Sequence, residues 1–165
     1  MEIDILIEAP AWDALDLAQM TEAAVEATLA TLGVTSRFYE LSLMACDDAR
    51  IAELNTEFRG KPTPTNVLSW PAEDRAPNTP GKMPALPLPD PNGMPEELGD
   101  IALAFETCAR EADEGGKPLA HHVSHLIVHG LLHCLGFDHE TDADAALMEG
   151  FETQILATLG VPDPY

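Results

Sequence analysis

Ile3, Ile5 and Ile7 recur at every second position, the period at which strand side chains return to one face, so a half-buried strand is predicted at the start of the chain. Over residues 12–32 the spacing becomes helical, with Ala18, Val25, Leu29 and Leu32 on one side and Gly33 as the stop. Alternation resumes over 37–44, where Tyr39, Leu41 and Leu43 share a face. Asp47 or Asp48 can cap a short helix whose apolar stripe is Ile51, Leu54 and Phe58. Strands are predicted again over 66–70 and 98–105, the latter with Ile101, Leu103 and Phe105 alternating. Three helices then follow: 106–114, 118–135, and one from near Asp142 that presents Leu147, Phe151 and Ile155 to the core and stops at Gly160 before Pro162.

Strands and helices in this order predict an α+β fold of one domain over residues 1–165, a length sufficient for a real core. Between the last two strands lies a proline-rich loop at 72–97. It carries Pro77, Pro80, Pro84, Pro87, Pro89, Pro91 and Pro95, half of the 14 prolines in the chain. Proline gives no backbone donor, so this stretch is expected to be an extended surface loop and not a central strand.

Composition narrows the function classes. Three cysteines without disulfide spacing fit a reducing cytosol. The start Met1-Glu2-Ile3-Asp4 lacks a basic, apolar secretory leader, and no stretch approaches the ~20 apolar residues of a membrane span. A soluble cytoplasmic protein without a membrane partner is expected. The net charge of −21, eight basic against 29 acidic residues, is awkward for a nucleic-acid binder, because phosphate contacts normally supply much of the affinity. It favours a protein or small-molecule partner, although a cation and a few basic groups can still make one positive spot. Arg59 and Lys61 are the basic residues that sit close together in sequence.

The chemistry is concentrated at His129, His133 and His139. Histidines four apart on a helix stand one above the other, so both rings reach one ion. Gly136 can adopt the left-handed conformation that ends the helix, and the returning chain brings His139 to the third side of a tetrahedron. Three protein ligands leave one position for water, the arrangement of a catalytic zinc. His121, His122 and His125 continue the run, but successive steps of four drift by about 40°, so one ion holds only neighbouring rungs. They are expected to be non-ligands or donors to the ligands. Cys134 points about 100° away from His133 and suits the core. Asp138 and Glu140 flank the third histidine and can orient a ligand, move a proton, or simply solvate the turn. Zinc proteases share the spacing but place a glutamate after the first histidine; here Gly130 stands there, which makes a peptidase the weaker reading.

The run from His129 to His139 fits H-G-x-L-H-x-x-G-x-D-H and resembles the signature of the bacterial YbeY family of endoribonucleases. Leu54-Asn55-x-x-Phe58-Arg59, Thr65-Asn66-Val67-Leu68-Ser69-Trp70 and Leu98-Gly99-Asp100-Ile101 are similar to family segments in the same order, so the resemblance covers nearly the whole chain. It implies a small mixed four-stranded sheet packed with about five helices, the zinc site lying on a C-terminal helix and the turn after it. It also implies a zinc-dependent, single-strand-specific endoribonuclease in 16S rRNA 3′-end maturation and 70S ribosome quality control. Carried over by position, His129, His133 and His139 hold one zinc ion and Arg59 is the catalytic basic residue, with Lys61 beside it towards the substrate. Trp70 replaces a frequent phenylalanine, and Pro62 and Pro64 alter the segment around Lys61. The acidic charge adds an expected protein partner, a basic small-subunit ribosomal protein or an assembly GTPase. A non-enzymatic assembly factor with a mainly structural metal is the competing reading.

Overall fold

The computed structural model describes residues 1–35, 38–88, 90 and 92–165. Its elements in chain order are β1 (Glu2–Ile7), a 3-10 turn (Pro10–Ala14), α1 (Leu17–Leu32), β2 (Tyr39–Cys46), α2 (Asp48–Arg59), β3 (Val67–Pro71), β4 (Glu96–Ala104), α3 (Phe105–Glu114), α4 (Leu119–Cys134) and α5 (Asp142–Thr158). The strands form one mixed sheet in the order β1-β2-β4-β3, parallel except for the antiparallel pairing of β3 with β4. This is the expected α+β architecture, with four strands and five α-helices among the described residues. No helix among the described residues is long and apolar enough to cross a membrane.

One face of the sheet carries the main core. Leu41, Leu43, Ile101 and Leu103 point there and meet Val25 and Leu29 of α1, Ile127 and Leu131 of α4, and Ile155 of α5. The other face carries a smaller cluster in which Ile51 and Leu54 of α2 cover Leu68 and Ala102. α4 is thereby wedged between the sheet and the flanking helices. Its buried side runs from Val123 to Cys134, while His125, His129 and His133 emerge along its half-buried edge. Side chains on such a packed helix have little freedom to wander.

Several expectations are corrected by local chemistry. The helix predicted over 12–32 is broken: Asp16 caps α1 by accepting from the Gln19 amide at 3.2 Å, and Trp12 belongs to the preceding 3-10 turn. Trp12 is fully buried there, its indole N–H donating to the Cys46 carbonyl. The expected beginning of the second strand at Arg37 lies outside the described residues. Asp47 caps α2, whereas Asp48 accepts from the Thr107 amide and hydroxyl in the first turn of α3. Phe105 opens α3 and does not end β4. Phe58, placed in the apolar stripe of α2 by spacing, is 57% exposed.

The proline-rich segment is shorter than 72–97, because Glu96 and Glu97 already pair in β4. It is also anchored. The buried Arg75 guanidinium bonds Glu96 at 2.7 Å and the Ala85 carbonyl at 3.3 Å. The Gly81 amide donates to Asp144 at the start of α5. The segment packs on the turn after α4, where a Cβ at Gly136 would lie 2.7 Å from Pro84 and 2.8 Å from Arg75.

Candidate metal centre

α4 ends where Leu131, Leu132 and His133 offer their carbonyls to the amides of Leu135, Gly136 and Phe137. Gly136 has φ 104°, which only glycine adopts without strain, and the chain doubles back through Phe137 and Asp138. The Asp138 carboxylate accepts from the His139 amide at 2.7 Å and so shapes the turn. As a result His129, His133 and His139 converge. Their ring centroids are 4.6, 5.1 and 5.3 Å apart. One ring nitrogen from each lies within 4.8 Å of the other two.

Hydrogen bonds fix which nitrogen faces the site. The Nδ1 of His133 lies 3.0 Å from the Phe137 carbonyl, and the Nδ1 of His129 lies 2.6 Å from Glu152 Oε1. Carbonyl and carboxylate oxygens only accept, so each Nδ1 carries a proton. In the neutral form of each ring Nε2 is then the lone-pair donor, and the two Nε2 atoms face each other at 3.1 Å. Two unprotonated nitrogens at that distance repel unless a cation lies between them. Their separation also suits tetrahedral ligands at about 2.0–2.1 Å from zinc. Burial pushes His133 down to about 4, and the charges of His129 and His139 add to the effect, so it stands neutral at physiological pH as a ligand must. The donor set therefore fits a divalent metal ion.

His125, His129 and Glu152 form a second close group. Its contacts of 2.6 and 2.8 Å are hydrogen-bond lengths, with the carboxylate accepting from both rings, so protons already occupy the space an ion would need. Burial alone would raise the Glu152 carboxyl, but hydrogen bonds from His125 and His129, the charge of His129 and the Tyr165 hydroxyl outweigh it and bring it to about 2. His122 bonds Glu111, which also accepts from Asn66. None of His121, His122 and His125 joins the converging trio.

The three histidines open into a cleft of about 500 Å³. Its other wall carries Arg59 at the end of α2, with Phe58 and Trp70 in edge-to-face contact at 5.4 Å, and Asp138 and Glu140 lie at the histidine side. Arg59 is thus brought to the histidines from 70 residues away in sequence. Lys61 is exposed just beyond α2 and lies outside the lining of the cleft. Cys134 is fully buried, its thiol pushed up to about 12 by burial.

Gly130 stands where a zinc protease carries its glutamate. It lies where α4 touches β4, and a Cβ there would sit 3.2 Å from the Ile101 side chain. Any side chain there would press on Ile101, which would have to give by a few tenths of an ångström. Sequence reasoning missed Glu152 and Tyr165. Glu152 was findable: it falls midway between Met148 and Leu156 at spacing four, a carboxylate on a buried apolar stripe.

The family model for endoribonuclease YbeY matches residues 4–160. An endoribonuclease YbeY of Jannaschia sp. (strain CCS1) is 70% identical over 165 residues, covering all of both chains. One of Dinoroseobacter shibae is 66% identical over 99% of this chain and 90% of its own. A solution structure from Thermotoga maritima shares the fold at a TM-score of 0.56 and 20% identity, covering 96% of this chain and 91% of that one. The match spans sheet, cleft and histidine turn alike, and the chain belongs to the endoribonuclease YbeY family.

Proposed function

We propose that the protein is a zinc-dependent, single-strand-specific endoribonuclease of the cytoplasm, acting in 16S rRNA 3′-end maturation and in quality control of the 70S ribosome. The observation that carries the reading is the pairing of a cation-demanding histidine trio with a guanidinium across one cleft. The names of the relatives support RNA as the substrate.

His129, His133 and His139 would hold the ion. Zinc supplies Lewis-acid chemistry for phosphodiester hydrolysis, polarising a phosphoryl oxygen and acidifying water. Arg59 offers a planar, permanently charged fork to the phosphate and stabilises charge as it builds in the transition state. Phe58 and Trp70 give unpaired bases aromatic surface beside that phosphate, which a duplex with stacked bases does not use. Asp138 is engaged in shaping its own turn, which leaves Glu140 as the freer carboxylate in the cleft for moving a proton. Lys61 adds a cation at the outer approach. The net charge of −21 supports a second component of the reading, delivery to RNA by a basic small-subunit ribosomal protein or an assembly GTPase.

The test is cleavage of matched single-stranded and duplex RNA after chelation and after zinc is restored. Zinc-dependent cutting of the single strand, abolished in His133→Ala and nearly lost in Arg59→Ala, is expected; Arg59→Lys rescues partly because it lacks the bidentate fork. Full activity in the chelated enzyme, or in His133→Ala, would refute the reading. If His133→Ala instead unfolds completely, the metal is structural and the assembly-factor reading takes over.

A further inference from the structure

Glu152 has no exposed surface, yet carries a carboxylate into the core between Met148 and Leu156. Taking such a group out of water costs several kcal/mol unless all its lone pairs are used. No lysine or arginine pairs with it among the described residues; the partners are neutral-capable donors. Oε1 accepts a hydrogen bond from His129 Nδ1–H at 2.6 Å. Oε2 takes His125 Nε2 at 2.8 Å and the Tyr165 hydroxyl. Tyr165 also sets its ring edge-on against His125, 5.6 Å between centroids, so the far side of the carboxylate is closed.

We propose that Glu152 is a positioning residue, which locks the His129 ring with Nε2 turned to the metal centre and is itself held by His125 and Tyr165. The proposal rests on the reading that His129, His133 and His139 hold the ion. Two alternatives are suppressed by the contact. Neutral histidine free in water keeps its proton mostly on Nε2, which would cap the very atom that must donate. A half-turn of the ring would also put the carbon Cε1 where Nε2 stands. A fixed acceptor at Nδ1 excludes both, and partners of this kind typically contribute 10- to 100-fold in metal affinity. His133 has a backbone carbonyl in the same role, which side-chain substitution does not remove. Glu152 is therefore the point at which the centre can be loosened without touching a ligand.

The experiment measures Zn²⁺ affinity by competition with a chromophoric chelator, and the histidine tautomers of the metal-free protein by long-range ¹H–¹⁵N spectra. Wild type is expected to show His129 fixed with its proton on Nδ1. Glu152→Ala is expected to bind zinc about 10- to 100-fold more weakly, with the His129 signals averaging between tautomers. Glu152→Gln keeps one oxygen for His129 but turns a donor towards His125 and Tyr165, so its loss falls between wild type and Glu152→Ala. Tyr165→Phe loses less still. If Glu152→Ala does not fold, the last two carry the test. Folded Glu152 variants with wild-type zinc affinity and an unchanged His129 tautomer would overturn the proposal. His133→Ala serves as the separate check: if it binds zinc as wild type does, the ligand assignment itself fails, and the proposal falls with it.

Discussion

Replacing Gly99 with alanine adds one methyl group, and the structure gives it no place. Leu98 is an extra residue in β4, since Glu40 pairs with Glu97 and Leu41 with Gly99, so the strand bulges at this point. Gly99 closes the bulge at φ 151°, a conformation that costs a side-chain-bearing residue about 1–3 kcal/mol. The new Cβ would lie 2.4 Å from the Trp70 carbonyl oxygen and 2.8 Å from Cys134 Sγ. Forcing atoms into a packed site costs about another 1–3 kcal/mol. Together the two effects predict a loss of about 2–6 kcal/mol, much of the total stability of an ordinary domain. Because Cys134 follows His133, pushing α4 away should weaken zinc binding as well.

The same substitution at Gly150 is the control. That glycine lies in the interior of α5, exposed, with nothing within 4 Å of a Cβ. Alanine there should stabilise by up to about 1 kcal/mol through helix propensity. Urea unfolding in the presence of a chelator measures both, with the zinc competition assay alongside. Adding Cys134→Ala to Gly99→Ala relieves one contact but not the backbone oxygen, so recovery should be partial. A Gly99→Ala variant within about 1 kcal/mol of wild type would refute the reasoning, as would full rescue by the Cys134 change.

Three further outcomes are expected. Arg75→Ala should cost about 1–3 kcal/mol by urea unfolding, because the guanidinium is buried against Glu96 and the Ala85 carbonyl; a neutral result would mean the proline-rich segment is not anchored there. Burial raises the thiols of Cys46, Cys108 and Cys134 from 9.0 to about 12, so none should react with iodoacetamide at pH 8.5 until the protein unfolds. The sign follows: their stabilising contribution is complete below pH 9.0 and is lost as pH rises towards 12, and rapid labelling of the native protein would contradict it. Binding to naked RNA should be weak and fall steeply with salt, since few cations face a net charge of −21, and a tight, salt-insensitive complex would show that the local field overrides the total.

What was legible in the sequence follows from how local each determinant is. The convergence of the histidine trio depends on one helical turn and a glycine stop, both written within residues 129–139, so spacing and the stop at Gly136 together made it legible. The strands β1 and β2 were legible because their inward residues keep a strict period of two. That period fails in β4. Leu98 and Ile101 are three apart, yet both enter the main core, which is possible only because the bulge inserts a residue between them. Nothing but a glycine at 99 signals this, and a glycine in a strand has several explanations. The break at Asp16 was equally hidden, because a caps-or-continues choice turns on one side chain reaching one amide.

The parts that escaped belong to the second layer of the centre. Glu152 and His129 are 23 residues apart, on helices whose relative packing no local pattern specifies. Arg59 reaches the cleft only because α2 lies across the outer face of β3 and β4 while α4 lies across the inner one, so that both helices end at one edge of the sheet. The three histidines were thus readable from chemistry repeated at helical spacing, whereas the residues that bond them and face them depend on the order of the strands. That division also explains the distribution of glycines. Gly99, Gly130 and Gly136 each lie at a contact between α4 or the turn after it and its support: the β3–β4 pair, Ile101, or the proline-rich segment. A chain that must bring three imidazoles together from one helix end needs that end held close on every side, and at these three positions the absence of a side chain is what lets the backbones approach.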